Sequence, residues 1–166
     1  MSTPIVVLVG PPGAGKSTVG RLAAERLGVA FRDTDADIEA QAGKAIPDIF
    51  FEDGEPAFRA LEKDAVARAL KEHTGVLSLG GGAVLDPETR ERLKPHNVAF
   101  LATGLAEATK RVGMSAARPV LALNPRATLQ VLLAERLPLY REVASIEVST
   151  DGKTPEQVLE ELLLSE

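Results

Sequence analysis

Residues 10–18 read GPPGAGKST and carry the most specific chemistry in the chain. Gly10, Gly15, Lys16 and Ser17 fill the fixed places of G-x-x-x-x-G-K-[ST], a loop that turns its backbone N–H groups onto a chain of phosphates. Gly10, Gly13 and Gly15 allow the tight turning this needs. A helix starting after Gly15 adds unpaired donors and the positive end of its dipole. Lys16 has the reach for β- and γ-phosphates, and the Ser17 hydroxyl can ligate Mg²⁺. A glycine-rich turn without a ligand is the plain alternative. The agreement of the fixed positions with both flanks argues against it.

A phosphate loop implies a nucleotide but not the destination of the phosphate, and other charged residues bear on that. Asp33 and Asp35 are two apart, so in extended chain they point the same way. One carboxylate can hold the waters around Mg²⁺, and the other can take a hydrogen bond and a proton from an attacking hydroxyl. Equally, the pair can be a turn in which Asp35 caps the next helix. Arg59 precedes Glu62 by three residues. This is ordinary helix-surface pairing, or a guanidinium held by Glu62 and presented to an anion, where a planar fork suits a carboxylate. Gly80, Gly81 and Gly82 end an apolar run. Three glycines there cost backbone entropy, which makes sense where a ligand approaches the main chain; a flexible turn is the alternative. Arg118, beside Pro119, can stabilise charge on a transferring phosphoryl group if its segment closes over ATP, or can be a solvated loop arginine. Arg136 is unremarkable by itself. Lys110 and Arg111 can flank an adenine ring or be wet. His73 and His96 read as surface residues, and Phe50, Phe51, Phe58 and Tyr140 as packing.

The elements that must position these groups follow from periodicity. Residues 5–9, IVVLV, read as a buried strand. Val19, Leu22, Ala23 and Leu27 mark a helix that Gly28 terminates. Residues 29–32 read as a second strand, 35–42 as a short helix ended by Gly43, and 48–51 as a turn opened by Pro47. Pro56 suits the first residue of a long helix carrying Phe58, Leu61, Ala65, Val66, Ala69 and Leu70. Residues 76–79 and 98–101 are buried strands, and Asp86–Pro87 opens a helix to Leu93. Residues 106–112 read as helix and 113–124 as a mobile flap, or lid. Asn124–Pro125 starts a helix burying Leu129, Leu132, Leu133 and Leu137, which Pro138 should bend or interrupt. Ile146 and Val148 mark a last strand. Thr154, Pro155 and Gln157 open a final helix with the stripe Val158, Leu159, Leu162. This order predicts one α/β domain over 1–166, a parallel sheet of about five strands covered on both faces. Ligands then belong beyond the strand carboxyl ends, where the phosphate loop, Asp33–Asp35 and Gly80–Gly82 converge on one rim.

Composition fits this outline. The chain has 166 residues, 45% apolar, with no cysteine and a net charge of −5. There is no basic stripe to suggest nucleic acid, no apolar run long enough to cross a membrane and no signal-peptide pattern. A cytoplasmic monomer is the expectation.

Together, GPPGAGKST at 10–18, DTD at 33–35, FRALE at 58–62, LGGG at 79–82, RPVL at 118–121 and the ERLPLY stretch with Arg136 and Tyr140 resemble the shikimate kinase family of the bacterial type. The resemblance covers nearly the full length in the family's order. It implies a nucleoside-monophosphate-kinase-like three-layer sandwich with sheet order 2-3-1-4-5, and transfer of the γ-phosphoryl group of ATP to the 3-hydroxyl of shikimate. It implies nucleotide contacts from Gly13, Ala14, Gly15, Lys16, Ser17 and Thr18, Mg²⁺ on Ser17 and, through water, on Asp33, and Asp35 as substrate ligand and base. Arg59 and Arg136 would clamp the shikimate carboxylate beside Gly80, Gly81 and Gly82, within a substrate-binding segment spanning 33–61. Arg118 would lie near the phosphates, and Arg111, Lys153 and Pro155 near adenine. A kinase for another small hydroxy acid such as gluconate, a nucleoside-monophosphate kinase and a non-catalytic nucleotide-binding module are the competing readings. The first should lack the arginine clamp; the second would need a basic second phosphate site where this chain is short and acidic; the third needs no Asp35.

Overall fold

Val6–Val9 forms β1, and all four of its residues are buried. Alternation explains how one strand serves two faces. Val7 and Val9 join one apolar cluster, with Leu77, Leu79, Val98, Phe100, Tyr140 and Val143. Val6 and Leu8 join the other, with Val19, Ala23, Leu101, Val148 and Leu162. The computed structural model describes residues 4–11, 14–103 and 125–164.

The remaining elements follow in chain order. They are α1 (Lys16–Leu27), β2 (Phe31–Asp33), α2 (Thr34–Ala42), α3 (Ile46–Asp53), α4 (Glu55–Glu72) and β3 (Val76–Ser78). A 3₁₀ turn (Ala83–Leu85) leads to α5 (Pro87–Leu93), β4 (Val98–Ala102), α6 (Pro125–Val143), β5 (Ile146–Ser149) and α7 (Pro155–Leu164). The sheet runs β2-β3-β1-β4-β5 with every pairing parallel, as expected. The clusters place α1 and α7 on one face, and α4 and α6 on the other. A satellite core of Ile38, Ile46, Ile49, Phe58 and Ala65 binds α2, α3 and α4 to one another.

Several boundaries move. The second strand begins at Phe31, two residues later than the apolar run suggests, although Ala30 O already accepts from Val76 N–H at 2.9 Å; the close approach of Ala30 leaves no room for a side chain at Gly75. The expected turn after Pro47 is a full helix, α3, whose Ile49 is buried in the satellite core. Pro138 does not interrupt α6: Tyr140 and Val143 beyond it are buried in the same core that receives Leu137. The Thr154 capping box forms as read, with Thr154 N–H donating to Gln157 Oε1 (2.8 Å) and Gln157 N–H to Thr154 Oγ1 (3.2 Å). Neither histidine is a plain surface residue. His73 Nε2 lies 3.2 Å from Ala30 O and 3.0 Å from Val76 O, tying two strand starts together. His96 is half-buried, which lowers its imidazole pKa. The expected 106–112 helix and the flap fall outside the described residues, as do the side chains of Leu129, Leu132 and Leu133. Among the described residues no helix is long and apolar enough to cross a membrane.

Candidate active site

β1 delivers the chain to Gly10, whose φ is 153° and where a Cβ would stand 2.5 Å from Leu101 O of neighbouring β4. Gly15 then enters α1 in the left-handed region, at φ 86°. The first bond closing the helix is Val19 N–H to Gly15 O, at 2.9 Å. The N–H groups of Lys16, Ser17 and Thr18 therefore lie in the first turn, where a helix has donors to spare. No side chain caps this end. Lys16 Nζ donates to Gly10 O (2.7 Å) and Pro11 O (3.1 Å), so the ammonium lies across the loop. Ala14 is buried; Gly13 lies outside the described residues.

At the end of β2, Asp33 is the cap of α2. The alternative reading of this stretch had Asp35 in that place. Instead the Asp35 N–H donates to Asp33 Oδ1 (2.9 Å), while Ser17 Oγ donates to Asp33 Oδ2 (3.2 Å). Extended backbone stops at Asp33, so strand alternation does not relate the two carboxylates; a helix turn does. Burial raises the Asp33 pKa above the ordinary carboxylate value and neighbouring Asp35 adds to this, against the hydrogen bonds from Asp35 N–H and Ser17 and the charge of Lys16. A half-buried carboxylate held by a hydroxyl at the rim of a phosphate loop is short of positive charge. That suits a cation which keeps most of its waters and needs only one or two protein ligands. Among the described residues no three acidic or histidine side chains form a closed metal cage.

α4 supplies the guanidinium. Arg59 Nη1 pairs with Glu62 Oε1 at 2.7 Å and Nε with Glu55 Oε2 at 3.3 Å, and the group lies 5.2 Å from the Phe58 ring centre. Glu62 keeps only 3% of its side chain exposed, so the pair is an inner one and not a surface i,i+3 contact. The guanidinium is thereby aimed, not loose.

The triple glycine has a reason that the sequence does not reveal. None of Gly80, Gly81 and Gly82 sits at positive φ. Gly80 and Gly82 are glycines because side chains crowd them. A Cβ on Gly80 would stand 2.7 Å from Asp35 Oδ1 and 2.8 Å from Glu62 Oε2, and one on Gly82 would run into the Arg59 guanidinium. Asp35, Glu62 and Arg59 thus meet over one turn. α6 reaches the same turn: Tyr140 Oη donates to Gly81 O at 2.5 Å, and the ring stacks on Phe100. Arg136 lies one helical turn before Tyr140 on the same face and is 7% exposed. Two arginine-bearing helices, far apart in sequence, converge on Gly80–Gly82.

Of the residues expected near adenine, Lys153 pairs with Glu161 (2.6 Å) and Pro155 opens α7. Arg111 and Arg118 lie outside the described residues. Beside the phosphate loop, Pro11, Phe100, Ala102, Thr103, Leu137, Tyr140, Ser149 and Asp151 line a cavity of about 370 Å³. The buried Glu62 and the Tyr140 contact carry the geometry most heavily. Glu62 was legible from its spacing to Arg59. The Tyr140 hydroxyl bond had no local signal, since its partner is a backbone carbonyl 59 positions away.

A family model described as shikimate kinase matches residues 12–165. The chain is 60% identical over 162 residues to the shikimate kinase of Saccharopolyspora erythraea, covering 97% of this chain and 93% of that one. It is similar to a solved shikimate kinase from Acinetobacter baumannii in complex with shikimate, with a TM-score of 0.94, 38% identity and coverage of 99% and 93%. A gluconokinase from Sinorhizobium meliloti shares the fold alone, with a TM-score of 0.57 and 17% identity over 98% of this chain and 90% of that one. With a phosphate loop, an acidic rim and a guanidinium-lined glycine turn joined in one sheet, the chain belongs to the shikimate kinase family, ATP-dependent kinases that phosphorylate an alcohol group.

Proposed function

We propose that this protein transfers the γ-phosphoryl group of ATP to the 3-hydroxyl of shikimate, giving shikimate 3-phosphate and ADP. The observation that carries the reading is the meeting of Asp35, Arg59 and the Arg136 helix at Gly80–Gly82, one strand away from the phosphate loop. Gly13, Ala14, Gly15, Lys16, Ser17 and Thr18 bind the phosphates, with Lys16 leaving the loop carbonyls for β- and γ-oxygens. Ser17, and Asp33 through water, hold Mg²⁺, which when bound neutralises charge on the phosphates. Arg59 and Arg136 take the carboxylate of the acceptor as bidentate partners. Asp35 accepts a hydrogen bond from the 3-hydroxyl and takes its proton as that oxygen bonds to the γ-phosphorus and ADP leaves. Arg118 stabilises the transferring group from a lid over 113–124. Arg111, Lys153 and Pro155 lie along adenine. The chain works as a single-domain cytoplasmic monomer, with 33–61 as its acceptor-binding segment and no nucleic-acid or membrane partner.

The test is ATP-dependent product formation across a panel of hydroxylated acids that includes shikimate and gluconate. Turnover of shikimate well above the others is expected. Preference for gluconate, or nucleotide binding without turnover, would replace the reading with one of its rivals.

A further inference from the structure

The phenol of Tyr140 is a polar group in a core. The residue is 1% exposed and stacked on Phe100 at 5.0 Å, and a phenylalanine would fill the same apolar space. The hydroxyl adds a 2.5 Å bond to Gly81 O. The peptide joining Gly81 to Gly82 is planar and trans, so fixing its carbonyl towards α6 turns the Gly82 N–H away from α6. The turn closes through Ala83 N–H to Gly80 O and Leu85 N–H to Gly82 O, both at 3.1 Å, and these bonds leave the Gly82 N–H outside them. Glycine peptides have little intrinsic resistance to reorientation, since no Cβ restricts them. Something outside the turn must hold them.

The same stretch of α6 grips the turn a second time. Glu142 pairs with Arg90 (3.2 Å), and Arg90 Nη1 donates to Val84 O (2.7 Å) and Leu85 O (3.2 Å). The segment from Gly81 to Leu85 is therefore clamped to the helix that also carries Arg136.

We propose that the Tyr140 hydroxyl is a positioning group for the carboxylate end of the acceptor. It locks the Gly81–Gly82 peptide with its N–H edge towards the acceptor and sets the turn in register with Arg136. This rests on the functional reading above. It assigns Tyr140 a role in acceptor affinity, separate from its role in packing.

The experiment is Tyr140→Phe, which keeps the ring and removes the bond. The KM for shikimate should rise about five- to tenfold, the size of effect expected for one buried hydrogen bond. The KM for ATP should stay within about twofold, since the nucleotide meets other elements. A purely structural role lowers the active fraction and with it the apparent kcat, but leaves KM where it was. Phe100→Leu is the companion variant: it loosens the stack and keeps the hydroxyl, so it should lower the thermal midpoint with the shikimate KM unchanged. An unchanged shikimate KM in Tyr140→Phe overturns the inference. So does an equal rise in both KM values, or a rise in Phe100→Leu matching that in Tyr140→Phe. A wild-type chain inert towards shikimate would overturn the functional reading, and this inference with it. An active wild type with an unaffected Tyr140→Phe overturns this inference alone.

Discussion

A methyl group at position 82 would displace the end of a flexible arginine, not the backbone. Gly82→Ala is therefore expected to fold, with a lowered thermal midpoint where the buried Arg59–Glu62 pair is disturbed, while moving Arg59 off its mark. Its shikimate KM should rise about tenfold, an effect of the size that a misaligned charged hydrogen bond produces. Steady-state kinetics beside a melting curve separate the two effects. Asp35→Asn keeps the shape of the side chain and removes the proton acceptor. Its kcat should fall about 10²- to 10⁴-fold with ATP affinity nearly intact, measured by turnover and by nucleotide titration. Asp33 gives a pH-dependent outcome. Its carboxyl pKa is raised in the folded protein, so the stability it contributes is present at low pH and lost as pH rises through that value. Asparagine can still cap α2. Without nucleotide or metal, Asp33→Asn should therefore resist denaturant better than wild type at neutral pH. That advantage should shrink as pH is lowered through and below the ordinary aspartate pKa of about 3.9, where the carboxyl becomes protonated in both states.

The three elements that aim Asp35 and Arg59 stand on a small core of their own. Ile49 is fully buried there, and α3 holds α2 and α4 through it and its neighbours. Ile49→Ala should lower the unfolding free energy by about 2–5 kcal/mol, as buried isoleucine truncations do, and raise the shikimate KM more than the ATP KM. Urea unfolding with parallel kinetics checks both. This core also shows what could be read without coordinates. The long helix with Phe58 and Ala65 was plain from its period, and Gly28 and Gly43 ended helices as their type suggests. α3 reads as a turn because eight residues opened by a proline give barely two helical turns of pattern. Asp33, not Asp35, caps α2; either aspartate suits the position in sequence, and only the strand end decides. Composition marks the glycine turn as a place where a ligand could approach the main chain, yet the physical reason for Gly80 and Gly82 is not legible there. Crowding by Asp35 from α2 and by Arg59 and Glu62 from α4 comes from two segments distant in the chain, and no local pattern encodes that.

At the scale of the molecule, the parallel sheet brings the phosphate loop and the acidic end of β2 to the same edge with β3 between their strands. Ligand binding should therefore stabilise the chain as a whole. ADP with Mg²⁺ at a hundredfold its dissociation constant is expected to raise the unfolding free energy by about 2.7 kcal/mol. Much of that gain should vanish in chelator if Ser17 and Asp33 hold the cation; calorimetric melts with and without chelator measure it.

The strand order has one more effect, on how the protein is made. Of the five strands of the sheet β1 is synthesised first, yet its two neighbours, β3 and β4, are encoded far downstream. Throughout the interval a fully apolar strand waits with both edges unpaired, and such a segment invites pairing with other chains. Nascent chains arrested before β3 should bind hydrophobic-segment chaperones strongly, and those arrested after β4 only weakly.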